Sequence, residues 1–313
     1  MSQPYKRKAS ATQIILRKNC ALRWFLKYKM KFKEPTTMAM LKGTLVHAVI
    51  ERMSKEFNPR KTHINARNYK EEFPKYMLEL FEDELKKPQE YFGRPQPSLY
   101  HQMEEIADDE MDMVREITDA QQIIENYLVL YLMRFEQQLK KAKGFAQAYY
   151  MSRPKFSEYK LEDDRFVGYI DQVFEKDGKV IISDIKTGGS YFRSGYSDEY
   201  RIQLSLYCLY YYKMTGVLAD YGRIDFVKLG RECLYEFNKD TIIDEMEALI
   251  DWFEENTASD DIADYPPGLK HKFCCSKYAY SKNSRGKPWC PHASWCDKHI
   301  ETNGLIPEDY EEE

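Results

Sequence analysis

The stretch Gly168–Gly189, GYIDQVFEKDGKVIISDIKTGG, contains two alternating apolar runs separated by the tripeptide KDG. This alternation predicts two β-strands, and KDG predicts the tight turn that folds one strand back on the other. Charged residues interrupt both runs, Asp171 in the first and Asp184 with Lys186 in the second. Because residues two apart on a strand point to the same face, Asp184 and Lys186 project together. The sequence therefore predicts two carboxylates and an ammonium at one end of a small sheet.

The alternative interpretation of these charges is an exposed hairpin with ordinary surface residues. For a single aspartate, an exposed surface position is more common than a functional one. It is disfavoured here because the charges interrupt IDQV and VIISDIK, where a half-buried strand favours apolar residues.

Composition limits the possible function classes. The chain has 313 residues and a net charge of −4, which argues against a globally basic nucleic-acid coat but leaves room for a local basic groove. No segment approaches the ~20 consecutive apolar residues of a membrane span, and MSQPYKRKAS lacks the apolar core of a signal peptide. We therefore expect a cytoplasmic protein. Seven cysteines, an odd number, favour metal or cluster ligation over a disulfide framework.

The order of predicted elements indicates a mixed α/β protein. Ser10 is a predicted cap for a helix that contains Cys20, and a second helix follows at TMAMLKGTLVHAVIERMSKEF. Three strands, a helix, two strands and a helix come after Pro154. The predicted segments are N-terminal helices (1–59), a helical insertion (60–150), a catalytic α/β core (151–255) and a cysteine-containing tail (256–313).

Several chemically distinctive residues follow one another in a fixed order. They are His47 in GTLVHAVIE, Asp171 in GYID, the run Asp184-Ile185-Lys186, and Gln203 and Tyr207 in QLSLY. This order resembles the PD-(D/E)XK nuclease superfamily, without the proline of its name, and the Q-x-x-x-Y spacing is similar to the RecB-like branch. The resemblance covers the N-terminal helices, residues from about 154 to 230, and the tail. It implies a restriction-endonuclease-like core with a mixed central sheet flanked by helices.

The resemblance also implies roles for these residues in a Mg²⁺- or Mn²⁺-dependent deoxyribonuclease. The implied metal-binding positions are His47, Asp171, Asp184 and Ile185. The implied catalytic residues are Lys186, Asp184, Asp171, Gln203 and Tyr207. Carboxylates suit a hard cation that polarises a phosphoryl oxygen, imidazole suits manganese, and a lysine holds the attacking water or offsets charge on the phosphate.

Each of these residues also has a structural interpretation. His47 would more often be an interface residue of an amphipathic helix, Gln203 a solvated helix residue and Tyr207 part of the core. An Asp-x-Lys pair alone occurs by chance in many proteins. The ordered set is much harder to produce by accident, and it favours the nuclease.

The cysteines form a split pattern, with Cys20 near the start and FCCSKYAYSKNSRGKPWCPHASWC near the end. This pattern resembles iron–sulfur RecB-like nucleases, including the AddB nuclease domain and the CRISPR-adaptation nucleases. The resemblance implies a 4Fe-4S cluster held by Cys20, Cys275, Cys290 and Cys296. Cys274 is an alternative to Cys275, and His271 and His292 are competing ligands.

Two departures from the cysteine pattern keep other interpretations open. Ala21 replaces the proline that often follows the first cysteine, and the loop before Cys290 is longer than usual. Zinc suits four thiolates as well as iron does, and plain reduced thiols are the remaining possibility. Cys208 and Cys233 are predicted to be buried small hydrophobic residues.

The leading prediction is a DNA exonuclease that acts on ends or single strands in recombination, repair or replication, with a recombination or replication protein as a possible partner. The alternatives are a CRISPR-adaptation-type or structure-specific endonuclease, and a catalytically idle DNA-binding scaffold. RKNCALRWFLKYKMKFK, residues 17–33, interleaves basic and aromatic residues. It is predicted to track phosphates and stack on bases, or equally to be an amphipathic helix with a solvated face.

Overall fold

The protein is described by a computed structural model that covers residues 8–91, 93–189, 198–268 and 290–296. Its helices are α1 (Ala11–Asn19), α2 (Ala21–Trp24), α3 (Met38–Glu56), α4 (Tyr69–Lys86), α5 (Leu99–Glu104), α6 (Glu110–Leu139), α7 (Phe145–Ser152), α8 (Asp198–Thr215) and α9 (Ile242–Glu255). Its strands are β1 (Gln89–Tyr91), β2 (Arg94–Gln96), β3 (Phe156–Glu162), β4 (Val167–Lys176), β5 (Lys179–Lys186), β6 (Tyr221–Phe226) and β7 (Arg231–Glu236). Within the described part of the chain, no helix combines the length and apolar content needed to cross a membrane.

The central sheet has the strand order β3-β4-β5-β6-β7. β4 and β5 are antiparallel, β5 and β6 are parallel, and β6 and β7 are antiparallel. A parallel pair needs a long crossover, and α8 lies in the connection between β5 and β6. The mixed sheet with flanking helices confirms the predicted fold class, a restriction-endonuclease-like α/β core.

The hairpin between β4 and β5 fixes which residues face each other. Asp177 and Gly178 both have positive φ, 50° and 75°, as a two-residue turn between twisted strands requires, and Lys176 pairs with Lys179. The predicted KDG turn is therefore confirmed. At the other end of the hairpin Gln172 pairs with Ser183, so the same register places Asp171 opposite Asp184.

Two compact units divide the chain. One unit comprises Met1–Pro35, Glu162–Val167 and Ile243–Glu313, and the other comprises Thr36–Leu161 and Gly168–Ile242. The second unit contains the sheet and the predicted helical insertion. One buried apolar cluster in it extends from Leu41 on α3 through the insertion helices to Ile185 on β5 and to Val227. The four predicted segments, 1–59, 60–150, 151–255 and 256–313, stay predictions.

The first predicted helix is interrupted at Cys20, which corrects the expectation that Cys20 lies inside it. Cys20 has an extended backbone, with φ −155° and ψ 102°, so α1 ends at Asn19 and α2 begins at Ala21. The Cys20 thiol caps the new helix by accepting a hydrogen bond from the backbone N–H of Arg23. α2 then passes into a π-helical turn at Phe25–Lys29. The break turns the thiol of Cys20 toward backbone donors.

Candidate active site

The residues predicted for the catalytic site converge within the unit that contains the sheet. Asp171 lies on β4, Asp184 and Lys186 lie on β5, and His47 lies on α3. Gln203 and Tyr207 lie one turn apart on α8, so they share a helix face. The hairpin register and the α8 crossover therefore bring these distant sequence positions together.

Asp184, Lys186, Gln203 and Tyr207 form a polar network. The Lys186 ammonium lies 2.8 Å from Asp184 Oδ2 and donates to Gln203 Oε1 at 3.0 Å. The Gln203 amide donates to Asp184 Oδ1 at 2.8 Å and to the Tyr207 hydroxyl at 3.1 Å. Gln203 thereby bridges the carboxylate and the ammonium of the Asp-x-Lys motif. The interpretation of Gln203 as a solvated helix residue is not supported by these contacts.

His47 and Asp171 meet around the backbone of Ile185. Asp171 Oδ2 accepts a hydrogen bond of 2.6 Å from the Ile185 N–H, and His47 Nε2 lies 3.1 Å from the Ile185 carbonyl oxygen. His47 Nδ1 lies 3.5 Å from Asp171 Oδ1. The side chain of Ile185 is buried, so what it offers to the site is its backbone carbonyl. All four predicted metal-binding positions, His47, Asp171, Asp184 and Ile185, thus lie at this end of β4 and β5.

Glu158 on β3 belongs to the same cluster, although the sequence assigns it no role. One ligand atom each of His47, Glu158 and Asp171 lies within 4.8 Å of the others. Glu158 also has a φ of 51°, which is uncommon for a residue with a side chain and costs conformational energy. A strand position with strained backbone and a carboxylate aimed at two predicted ligands is typical of a functional site. The signal in the sequence was only an acid within the strand FSEYKL.

The electrostatics reflect the crowding of carboxylates. Burial lowers the pKa of His47, but the charges of Asp171 and its neighbours outweigh this effect and raise the pKa to about 9. Burial, opposed by Lys186, raises the pKa of Asp184 to about 6. Burial and the charge of Asp171 raise the pKa of Glu158 to about 7. These shifts show that the clustered carboxylates repel one another and stabilise positive charge placed among them.

The donor set fits a hard divalent cation. Asp184 Oδ2 is buried and, despite its contact with Lys186, has no oriented hydrogen bond among the described residues. Such an oxygen is costly unless a further positive group approaches it. Carboxylates from β3, β4 and β5, a backbone carbonyl and an imidazole supply the oxygen and nitrogen ligands that Mg²⁺ and Mn²⁺ accept.

Tyr200 is a second residue that sequence reasoning missed. The Lys186 ammonium lies 5.2 Å from the centre of the Tyr200 ring, and the ring packs edge-on against Phe226 with centroids 5.7 Å apart. Phe226 pairs with Lys186 across β5 and β6. A ring over an ammonium is attractive and restricts its position. No pattern in the sequence indicates this contact, because it depends on the packing of α8 on the sheet.

The cysteines of the predicted cluster lie in the other unit. Cys20, Cys290 and Cys296 are buried, and Cys20 and Cys296 belong to one small apolar cluster. Burial, together with the nearby Cys20 and Cys296 thiols, raises the pKa of Cys290. Cys20 Sγ accepts hydrogen bonds from two backbone N–H groups, those of Arg23 at 3.4 Å and Gly268 at 3.3 Å. These two donors fix the position of the Cys20 sulfur.

The remaining predicted ligands have different outcomes. Cys274, Cys275 and His271 lie outside the described residues. His292 is buried with Nε2 directed to Glu34 Oε1 at 3.4 Å. Cys208 is fully buried, as predicted, and burial raises its pKa to about 12. Cys233 is only half buried on the edge strand β7, so the prediction that it is buried is wrong, because an edge strand leaves one side open to solvent.

Comparisons with known proteins agree with the geometry. None of the curated proteins matches the chain significantly. The family model of the PD-(D/E)XK nuclease superfamily matches residues 8–297, which is nearly the whole chain. The match spans α3, the β4-β5 hairpin and α8, the elements that carry the clustered side chains. The chain therefore belongs to the PD-(D/E)XK nuclease superfamily.

Proposed function

We propose that this nuclease is a Mg²⁺- or Mn²⁺-dependent DNA exonuclease that acts on ends or single strands in recombination, repair or replication. The observation that carries the proposal is the convergence of His47, Asp171, Asp184 and Lys186 with the Gln203 amide between acid and ammonium. The Q-x-x-x-Y spacing resembles RecB-like exonucleases and favours this activity over an endonuclease.

The reaction adds water across a phosphodiester bond and yields a phosphomonoester and an alcohol. A bound Mg²⁺ or Mn²⁺ supplies a Lewis acid for the phosphoryl oxygen and lowers the pKa of a bound water. His47, Asp171, Asp184 and the Ile185 carbonyl are the groups that would hold it, with Glu158 as an additional carboxylate.

Lys186 has a separate role from the ligands. Although burial opposes it, the charge of Asp184 raises the pKa of Lys186, so the ammonium stays protonated at neutral pH. A charged, desolvated ammonium beside the reacting phosphate stabilises the negative charge that develops there. Gln203 fixes the ammonium by accepting its hydrogen bond, and Tyr207 orients Gln203 in turn.

The deciding experiment compares linear and circular single-stranded DNA of the same sequence. An exonuclease with Mg²⁺ or Mn²⁺ degrades the end-labelled linear strand and leaves the circle intact. Cleavage of the circle at a similar rate supports the endonuclease alternatives instead. Absence of cleavage of either substrate, with DNA binding retained, supports the idle scaffold. The Asp184→Asn variant is the control for contaminating nucleases, and calcium is expected to permit binding without turnover.

We further propose that the split cysteines hold a 4Fe-4S cluster, with zinc as the alternative. The proposal is supported by the burial of Cys20, Cys290 and Cys296 in one unit and by the two N–H groups that donate to Cys20 Sγ. Cys275, or else Cys274, completes the proposed set. Protein purified without oxygen should be brown and contain iron and sulfide in near-equal amounts, whereas zinc leaves it colourless.

A further inference from the structure

Trp295 is an exposed indole beside a lysine-rich segment. Its residue surface is 39% exposed, and its ring lies 5.3 Å, centre to centre, from the ring of Phe32. Phe32 lies between Lys31 and Lys33 in the sequence. Both lysines are exposed, and no carboxylate of the described residues pairs with either. We call Lys31, Phe32, Lys33 and Trp295 the Trp295 surface.

The lysine segment is fixed to the segment that carries Trp295. Glu34 Oε1 lies 2.7 Å from Arg23 Nε and 3.4 Å from His292 Nε2, and Glu34 Oε2 lies 2.5 Å from Lys27 Nζ. Burial opposes ionisation of Glu34, but its hydrogen bonds to His292 and the two cations hold its pKa well below the usual range. The ionised Glu34 therefore joins the end of the lysine segment to the Cys290–Cys296 segment.

The neighbouring lysines are already neutralised, which singles out Lys31 and Lys33. Lys27 pairs with Glu34, and Lys29 pairs with Asp260 at 2.6 Å. Lys31 has a φ of 58°, a left-handed conformation that turns the chain at this point. Of the four lysines at positions 27–33, Lys31 and Lys33 are therefore the two without a carboxylate partner among the described residues.

The structure distinguishes buried from half-exposed aromatic residues within residues 17–33. Trp24 and Phe25 are each only 4% exposed, and Trp24 packs against Phe253 and Tyr265. These aromatic rings belong to the core of their unit and are not accessible to bases. Phe32, in contrast, is half-exposed, and its ring adjoins that of Trp295, whose residue surface is 39% exposed.

We propose that the Trp295 surface binds single-stranded DNA, with a base stacked on Trp295 and phosphates at Lys31 and Lys33. This inference rests on the proposed function, since it identifies where a nuclease substrate strand is held. An exposed indole stacks on any unpaired base, whereas the bases of a duplex are already stacked inside. The two lysines favour binding of a polyanion over binding of a neutral protein. Their contribution to the binding free energy depends on salt concentration and not on base sequence.

The test measures binding of fluorescent oligothymidylate by anisotropy in a chelator, so that hydrolysis does not interfere. Trp295→Ala is expected to weaken binding about fivefold or more, and Trp295→Phe to retain most of it, because phenyl still stacks. The Lys31→Ala/Lys33→Ala variant is expected to lower the slope of log affinity against log salt by about 1.4, the value for two single-strand phosphates.

A matched control removes two exposed lysines elsewhere. Lys141→Ala/Lys143→Ala, after α6, causes the same change in net charge and should leave both affinity and salt slope near wild type. The melting temperature and the cysteine-bound metal content of Trp295→Phe are compared with those of wild type. Unchanged values exclude a folding defect in that variant. The surface assignment is overturned if Trp295→Ala binds as tightly as wild type, or if both lysine pairs have equal effects.

The outcome is separable from that of the proposed function. If wild-type protein degrades linear DNA in magnesium while the variants bind oligothymidylate normally, the nuclease stands and the Trp295 surface fails. If wild-type protein cleaves no DNA, the proposed function fails, and the binding comparison still decides the surface. The stacking proposal is also overturned if Lys31→Ala/Lys33→Ala weakens binding of duplex and single-stranded DNA equally while Trp295→Ala changes neither affinity. The surface would then contribute phosphate contacts alone.

Discussion

At the scale of single residues, Asp184 shows how a buried carboxylate is kept ionisable. It is 3% exposed, and burial raises its pKa, while the Lys186 ammonium and the Gln203 amide favour its charged form. A buried charge without such partners would become neutral. The ion pair and the amide therefore favour the ionised form of a carboxylate that is almost fully buried in the sheet.

We expect Asp184→Asn and Lys186→Met each to lower DNA hydrolysis on the order of a hundredfold or more, because each removes charge at the reacting phosphate. The measurement is the rate of hydrolysis of end-labelled linear DNA at saturating magnesium, with circular dichroism to verify folding. Lys176→Met, at the turn end of the same hairpin, is the matched control and should keep full activity. Activity within tenfold of wild type in either site variant would contradict the assignment.

For Glu158→Gln we expect magnesium or manganese affinity, measured by titration calorimetry, to fall about tenfold or more. Stability of the metal-free protein should stay the same or rise, because one of several crowded carboxylates becomes neutral. Glu158→Gly separates the two properties of this position, since it relieves the positive φ while it also removes the carboxylate. Unchanged metal affinity in both variants would mean that Glu158 lies beside the site without contributing to it.

Sequence order predicts which residues meet in the site, and the limits of that prediction are physical. His47, Asp171, Asp184 and Lys186 are recognisable because their types and spacing form a known pattern. Glu158 depends on an unusual backbone angle within a strand, and Tyr200 depends on how α8 packs on β6. Neither the angle nor the packing has a periodic signal along the chain. The proposed roles of all these residues stay predictions until the variants are measured.

At the scale of elements, Asp220 fastens the start of β6 to β5. It lies just before β6 and accepts hydrogen bonds from the Val180 N–H at 2.8 Å, from Lys239 at 2.7 Å and from Lys179 at 3.2 Å. Burial opposes its ionisation, but these donors lower the pKa of Asp220 to about 2. The parallel β5-β6 pair, which carries Asp184 and Lys186, is thereby held in register at its far end.

The lowered pKa of Asp220 predicts a pH-dependent stability. Because the folded-state pKa lies below the unfolded value of about 3.9, the stabilisation is present above that value and lost as the pH falls toward 2. Asp220→Asn should therefore cost about 1 kcal/mol of unfolding free energy at pH 7 and pH 5. The difference from wild type should shrink below about pH 4.

Urea unfolding at several pH values tests this prediction. Asp240→Asn, which changes an exposed carboxylate close by in the sequence, is the control and should have little effect at any pH. A difference between Asp220→Asn and wild type that persists unchanged at pH 3, or that grows in acid, would show that the stabilisation comes from something other than the ionised carboxylate.

Elements whose ends are set by local chemistry were predictable, and those set by distant contacts were not. The KDG turn and the cap of α3 at Thr37 follow from residue types within a few positions. The break between α1 and α2 does not, because apolar periodicity continues through Cys20. That break accompanies a hydrogen bond from Gly268, 248 positions away in the chain.

At the scale of the whole molecule, one unit is assembled from both ends of the chain. It joins Met1–Pro35 with Ile243–Glu313, and Cys20 and Cys296 share its small apolar cluster. Loop closure over such a separation costs entropy that grows only slowly with length. A metal centre bound by both ends would add its binding free energy directly to folding, because the unfolded chain has no such site.

Gly268 is where this assembly can be tested without touching a proposed ligand. A Cβ at Gly268 would lie 1.8 Å from Asn19 O, so the backbone has to move and the N–H bond to Cys20 Sγ is lost. We expect Gly268→Ala, purified without oxygen, to contain less iron and to melt at a lower temperature. Cys20→Ser should cause the same losses more severely, since it removes the proposed ligand itself.

Gly144→Ala provides the control for this last prediction. Gly144 has a φ of 175° and nothing within 4 Å of an added Cβ, so alanine there should be neutral or slightly stabilising. If Gly268→Ala lowers the melting temperature but leaves metal content unchanged, the close approach stabilises the fold without supporting the centre. If Gly268→Ala and Cys20→Ser both match wild type in iron, sulfide and melting temperature, the cysteines are ordinary thiols. The nuclease assignment would then rest on the catalytic residues alone, because they lie in the other unit.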